Sequence, residues 1–310
     1  MTRCLVIGSR GSKLALYQAE QVKKGLLQFN PQFDVRIEII KTSGDVRSDP
    51  LSVIGGKGVF TKELEDALLD GRIDVAVHSL KDLPTILPNE LSIAAICERE
   101  DPRDALVLAF DLKAHAESLR SLPAGAVVGT SSPRRLAQLK ALRGDVVVKD
   151  LRGNVDTRLR KLDEGQYHAL ILASAGLVRL GLQNRISVAI SSEEMLPAVG
   201  QGAIAIETRA SDPFAIESVR RLNHHETNIA CLAERSLLRS LGGGCQLPIA
   251  AHATIHQREL RLEGLVAKPD GSEIVRDKIA GPIDEPENLG IALAVKLVER
   301  GANSLLRGQL

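Results

Sequence analysis

The chain has no apolar run that approaches the roughly 20 residues a helix needs to cross a bilayer, which excludes a membrane-spanning helix, and a soluble protein is expected. Its first residues, Met1, Thr2, Arg3 and Cys4, run straight into a short apolar strand with no signal or transit pattern, so a cytoplasmic location is expected. Cysteine is scarce. The four, at 4, 97, 231 and 245, lack the paired spacing of a zinc site and are too few for a disulfide framework. Net charge is nearly absent as well, +1 from 40 Lys+Arg against 39 Asp+Glu. No global field therefore invites nucleic acid or an anionic membrane, and any basic site must be local. Internal repeats and low-complexity tracts are also missing. What remains is ordinary globular composition, 44% hydrophobic and 25% charged. A length of 310 residues exceeds one comfortable core, so two or three domains are expected.

The first two thirds alternate strand and helix signals, which predicts mostly parallel sheets covered by helices. Leu5 to Gly8 is a strand, Ser12 caps a helix whose Ala15, Ala19, Val22 and Leu26 share a face, and Val35, Ile37 and Ile39 form a second strand. Thr61 to Asp70 reads as a helix stopped by Gly71, followed by a strand through Ile73, Val75 and Val77 that ends before Pro84. Charge and Pro102 interrupt the pattern near Arg99 to Arg103, and strands resume at Ala105 to Ala109, Ala126 to Gly129 and Ala169 to Ala173. Ala203 to Glu207 reads as a strand returning to the first sheet. Two lobes joined by two crossing segments follow, with a cleft between them as the natural ligand site. From Pro213 the style changes to helices through Leu222 and from Glu226 to Leu241, then two antiparallel strands, Glu259 to Ala267 and Glu273 to Ala280, around a Pro269, Asp270, Gly271 turn, and a final helix to Gly301. The expected domains are 1–98 with 198–218, 101–195, and a smaller α+β domain at 220–310.

Several local patterns carry chemistry. Gly242, Gly243 and Gly244 precede Cys245, which puts a thiol on a backbone almost bare of side chains; glycines in a row cost conformational entropy without a packing return, so either a helix stop or access for a bulky ligand explains them. Thr130, Ser131, Ser132, Pro133, Arg134 and Arg135 follow a strand and open a helix, with Ser132 as cap and Pro133 at its first position. Two arginines there oppose the helix macrodipole, and an anion would remove that penalty; solvated surface arginines are the plainer reading. Leu151, Arg152, Gly153, Asn154 repeats the arrangement, with Arg158 one turn on, and Arg10 with Ser12, Lys81 and Arg179 add polar groups at element ends. So many arginines in a near-neutral chain imply a ligand with several carboxylates or phosphates. Asp82, beside Lys81, is either a structural ion pair or a carboxylate that steadies a cation formed during reaction. Gly55, Gly56, Lys57, Gly58 is a defective phosphate loop, since Gly58 stands where Ser or Thr is needed; a lid with Lys57 and Phe60, or a plain surface loop, fits better. His224 and His225 diverge, and His252 and His256 read as exposed, so no metal is expected.

Taken together, residues 78–84 (HSLKDLP), 129–135 (GTSSPRR), 151–159 (LRGNVDTRL) and 241–248 (LGGGCQLP), in this order and at these separations, closely resemble the porphobilinogen deaminase, or hydroxymethylbilane synthase, family. Residues 7–13 (IGSRGSK), 55–60 (GGKGVF) and 196–202 (LPAVGQG) extend the likeness nearly end to end. The resemblance implies an α/β fold: two periplasmic-binding-protein-like βα lobes around a cleft, plus a smaller C-terminal α+β domain with an antiparallel sheet. It also implies a cytoplasmic, monomeric transferase of haem and chlorophyll biosynthesis that joins four porphobilinogen molecules into a linear tetrapyrrole, losing ammonia at each join. A dipyrromethane cofactor, one per chain, would be bound by a thioether to Cys245 and act as primer. By the same resemblance Asp82 is catalytic, and Arg10, Ser12, Lys81, Thr130, Ser132, Arg134, Arg135, Arg152, Arg158 and Arg179 contact the acetates and propionates of the rings. Aromatics are only 2% of the chain, which leaves Phe60 as the stacking residue near the cofactor. One departure is minor: Pro133 stands where the family commonly has leucine. The rival is a two-lobed, non-enzymatic polycarboxylate-binding protein, which has no use for a thiol on a glycine hinge.

Overall fold

The computed structural model describes residues 3–42, 61–112, 117–244 and 246–306. In chain order its strands are β1 (Leu5–Ser9), β2 (Val35–Ile39), β3 (Val75–Ser79), β4 (Leu91–Ile96), β5 (Asp104–Leu108), β6 (Val127–Gly129), β7 (Val147–Lys149), β8 (Ala169–Ala173), β9 (Val188–Ala189), β10 (Ile204–Arg209), β11 (Ile249–His256), β12 (Glu259–Ala267) and β13 (Ile274–Pro282). The helices are α1 (Lys13–Phe29), α2 (Lys62–Leu69), α3 (Pro133–Leu142), α4 (Val155–Asp163), α5 (Ser174–Arg179), α6 (Pro213–Val219), α7 (His225–Ser240), α8 (Pro286–Glu299) and α9 (Ala302–Leu306), with short 3-10 turns between some of them. The chain falls into two compact units, Met1–Glu100 with Ala203–Ile229, and Asp101–Gly202 with Ala230–Leu310.

The first unit is built on a five-stranded sheet ordered β2-β1-β3-β10-β4, with β10 antiparallel to both its neighbours. The second unit repeats the plan as β7-β6-β8-β5-β9, where β5 is the antiparallel strand, and adds a three-stranded antiparallel sheet, β11-β12-β13. The mixed α/β architecture is that read from the sequence, and its cause is period-two burial on both sheet faces. In β1, Leu5 and Ile7 enter one apolar cluster with α1 residues Ala19, Val22 and Leu26, while Val6 enters another with Leu64, Ala67 and Leu68 of α2. In β8, Ala169 and Ile171 share a cluster with Leu106, Leu108 and Val128, whereas Leu170 and Leu172 pack with Ala105, Val107 and Leu159. A one-residue slip would exchange the faces of either strand, so register is fixed by packing on both sides.

Four strands go beyond the sequence reading. β7 and β9 are too short to show a period, and β4 (LSIAAI), with Ser92 as its one polar residue, shows no polar alternation. β11 carries His252 and His256 on the polar beat of its alternation; His256 is exposed as expected, but His252 is half-buried. The β12–β13 turn was legible. Gly271 adopts φ +75° there, and it does a second thing that the sequence did not reveal: it lies against the backbone of α3, so close that a Cβ would sit 2.3 Å from the Ala137 carbonyl oxygen.

Candidate functional site

In the first unit the site residues collect at the carboxyl ends of β1 and β3, which are parallel neighbours. This is the edge at which open α/β sheets bind ligands. Arg10 and Ser12 follow β1; the Ser12 hydroxyl caps α1 by accepting from the Ala15 N–H at 3.3 Å. Lys81 and Asp82 stand on the single 3-10 turn Leu80–Asp82 that follows β3. Leu80 and Leu83 are both buried, at 1% and 3% exposure, and Pro84 blocks any continuation of the turn. The turn is thereby pinned by its two leucines, leaving Lys81 half-buried and Asp82 exposed. Behind it, the buried His78 Nε2 lies 2.9 Å from Glu207 Oε2, and Gln18 of α1 donates to the Ser79 hydroxyl at 2.9 Å.

In the second unit the corresponding edge is formed by the ends of β6, β7 and β8. Thr130 is buried and its hydroxyl accepts from the Ser132 N–H at 3.2 Å; Ser131 exchanges hydrogen bonds with both backbone groups of Leu151. Ser132 caps α3 with Pro133 behind it, as the sequence predicts. Arg152 donates to Asp150 at 2.8 Å, Arg158 donates to the Gly153 carbonyl at 2.7 Å, and Arg179, at the end of α5, donates to the Gly202 carbonyl at 2.6 Å. Burial would raise the Asp150 pKa, but the Ser131 hydroxyl and the guanidiniums of Arg152 and Arg158 outweigh it and hold the carboxyl below its ordinary value.

Arg134 and Arg135 are placed differently from a surface anion site. Both are buried, and both guanidiniums close on Asp104, the first residue of β5, which has no exposed surface. Arg134 donates to Asp104 Oδ2 at 2.7 Å and to Oδ1 at 3.2 Å; Arg135 donates to Oδ1 through Nη2 at 2.7 Å and Nε at 3.0 Å. Gln201 adds a bond to Oδ1 at 2.9 Å. Burial pushes the Asp104 carboxyl toward the neutral form, and the two arginines overcome it, so its pKa is driven far below the ordinary carboxylate range. The macrodipole penalty at the start of α3 is therefore offset from inside the protein. Sequence reasoning missed Asp104 because it lies about 30 residues upstream, as an unremarked acid opening an apolar strand. The buried Arg134 Nε has no hydrogen-bond partner.

Lys57, Phe60 and Cys245 lie outside the described residues. The glycines before Cys245 divide into two kinds. Gly242, at φ +66°, and Gly243 close α7 with backbone bonds to Arg239 and Leu238, and a Cβ on Gly243 would meet Ile249 and Leu238 side chains at 2.5 and 2.6 Å. Gly243 thus has the packing return that the sequence reading denied the run. Gly244 has none: it is exposed, with nothing within 4 Å of its Cβ position. The backbone directly before Cys245 is open to a bulky group, and the guanidiniums of Arg134, Arg135, Arg152, Arg158 and Arg179 in the same unit suit a group rich in carboxylates. The residues present thus fit an anchored dipyrromethane. Among the described residues, no cluster of three His, Cys, Asp or Glu suits a metal ion, and no helix is long and apolar enough to cross a membrane.

Comparison with known proteins places these features. Residues 5–217 match the family model for the dipyrromethane cofactor binding domain of porphobilinogen deaminase, and residues 228–299 match that for its C-terminal domain. A porphobilinogen deaminase of Pelobacter propionicus is 52% identical over 305 residues, covering 98% of this chain and 96% of that protein. Among solved structures, the second substrate binding domain of a putative amino acid ABC transporter from Streptococcus pneumoniae aligns at TM-score 0.45 and 12% identity, over 77% of this chain and 95% of that one. The benzoate-bound effector binding domain of BenM aligns at TM-score 0.43 and 20% identity, over 77% and 93%. With both family models matched in order and a relative identical at half its positions, the chain belongs to the porphobilinogen deaminase family.

Proposed function

We propose that the chain acts as a hydroxymethylbilane synthase, a transferase of tetrapyrrole biosynthesis that condenses four porphobilinogen molecules with loss of ammonia and releases the linear product by hydrolysis. The observation that carries this reading is the exposed Asp82 carboxylate, held beside Lys81 at the ligand-binding edge of a sheet within the cofactor-domain match. Bound at Cys245, dipyrromethane supplies a pyrrole α-position that primes the chain. The protein's own groups do the rest. Arg10, Ser12, Lys81, Thr130, Ser132, Arg134, Arg135, Arg152, Arg158 and Arg179 hold the ring acids, each charge-assisted bond contributing roughly 1.5–3 kcal/mol. Asp82 stabilises positive charge on the pyrrole nitrogen of porphobilinogen as ammonia departs, and takes up the proton lost when aromaticity returns.

The three-domain division, 1–98 with 198–218, 101–195 and 220–310, is part of the proposal and is supported by three separate sheets. So are a monomeric state, a cytoplasmic location and the absence of nucleic-acid or membrane partners, which the net charge of +1 favours. The polycarboxylate-binding alternative is disfavoured by the family match. Intact mass of the purified, denatured protein tests the reading: a covalent dipyrrole survives unfolding and maps to residue 245, whereas an unmodified Cys245 in turning-over enzyme refutes it.

A further inference from the structure

Asp104 lies in no part of the reaction described above, yet it is the most heavily bonded buried carboxylate in the ligand-binding edge of the second unit. It also ties that edge to the chain around it. Gln201, which donates to Asp104, donates through the same nitrogen to the Pro102 carbonyl at 2.7 Å. Arg134 donates to the Leu196 carbonyl at 2.8 Å, and Gln138, one turn further along α3, bonds both backbone groups of Leu196 at 3.0 and 2.8 Å. Residues 101–104 and 196–202, the two segments through which the chain enters and leaves this sheet, are thus bonded to the helix that carries the arginine pair.

We infer that Asp104 is a positioning residue that shares the guanidiniums of Arg134 and Arg135 with the acids of the bound pyrrole chain, and that its charge sets how tightly that chain is gripped. This rests on the proposed function. A guanidinium has a fixed set of donors, so every bond to Asp104 is one withheld from a ring carboxylate. Were the pair uncompensated, two buried positive charges would hold the first acids they met, and a chain that must advance after each addition would stall. With Asp104 present, half of that charge is already neutralised. An incoming acid is then held by a weaker field than the bare pair would exert. The carboxylate thereby sets a grip firm enough to orient a ring and weak enough to release it.

The test uses the full-length holoenzyme and two readouts, steady-state kinetics and intact mass of acid-quenched enzyme, which counts the rings tethered to each molecule. D104N removes the charge with little change of shape. It should lower KM for porphobilinogen and kcat together, each by roughly tenfold, the scale of one charge-assisted bond, with partly extended chains accumulating on the protein. D104E should return both readouts toward the parent. A loss of kcat with KM and the tethered-length distribution unchanged would mean that Asp104 only stabilises the fold, and would overturn the inference. Q201M provides a second variant if D104N does not fold. It removes a neutral competitor for Asp104, tightens the carboxylate on the arginines, and should raise KM with both charges intact; an unchanged KM also overturns the inference. A parent enzyme that turns over without any covalent dipyrrole would sink the functional reading and this inference with it. A normal parent beside a D104N enzyme of parental KM and tethered-length distribution would sink this inference alone.

Discussion

Replacing Gly271 by alanine should loosen the helix that carries the arginine pair, although Gly271 sits in a hairpin turn more than 120 residues away in sequence. Two costs combine. At φ +75° an L-residue is strained by about 1–2 kcal/mol. The new Cβ would then lie 2.3 Å from the Ala137 carbonyl oxygen, 2.8 Å from the Ala141 nitrogen and 2.9 Å from the Lys140 Cβ. The first two are helix backbone, which cannot swing aside, so α3 must back away by about 1 Å to restore ordinary contact. That opens the apolar cluster of Ala137, Leu196, Ala250, Leu265 and Ala267, and overpacking of this kind costs roughly 1–3 kcal/mol. The sum is about 3 kcal/mol, or roughly 6–12 °C in Tm for a unit of this size. Gly165 supplies the control, because it has φ +74° and nothing within 4 Å of its Cβ position. G165A therefore suffers the backbone strain alone, about 1 kcal/mol and roughly 2–4 °C. Thermal unfolding followed by circular dichroism at one pH and concentration decides the matter. If the two variants melt at the same temperature, the contact with α3 has no energetic weight and the reasoning is wrong.

Asp82→Asn should keep the fold and any covalent cofactor yet reduce turnover by roughly 100-fold or more, and near-parental turnover would remove Asp82 from the reaction. Burial raises the Asp212 pKa, but the Ala215 N–H, Arg209 and Arg3 bring it from the ordinary 3.8 down to about 2. Its contribution to stability is thus complete above about pH 4 and lost as pH falls toward 2; urea midpoints measured across that interval should fall more steeply for the parent than for D212N, and parallel curves would contradict the assignment. Glu234, fully buried, accepts from the Gly200 N–H at 2.7 Å and the Ala253 N–H at 2.8 Å. E234Q converts one of those acceptors to a donor and should cost about 1.5–3 kcal/mol, which a urea titration will show; a loss below about 0.5 kcal/mol would mean that both N–H groups find other partners.

Period-two burial made the central strands legible because each face of β1, β3 and β8 meets its own apolar cluster, and the sequence must satisfy both. Capping was equally plain: Ser12, Ser132 and Asn154 each accept from the N–H three residues on. The same logic fails for β7 and β9, since two or three residues carry no period, and for β11, whose histidines mimic a surface loop. The glycine run shows a different limit. Gly242 and Gly243 are explained by helix closure and by contact with Leu238 and Ile249, so only Gly244 retains the meaning first given to all three. A chain records that a side chain is absent, and only coordinates say whether a neighbour or a ligand occupies the space.

The arginine pair marks where sequence reasoning was right about the force and incomplete about its source. Two cations in the first turn of α3 require a negative partner on electrostatic grounds alone, and nothing in the local sequence supplies one, so an external ligand was inferred. The partner found is Asp104, brought to the same edge because β5 runs antiparallel to β8 and so begins where β8 ends, with Asp104 paired to Ala173. Topology, not spacing, makes that contact, which is why it could not be read from the chain. Under the proposed function the carboxylates of a lengthening pyrrole chain compete with Asp104 for the donors of the same two guanidiniums, so the internal partner and the external one are alternatives at each donor rather than rival explanations of the pair.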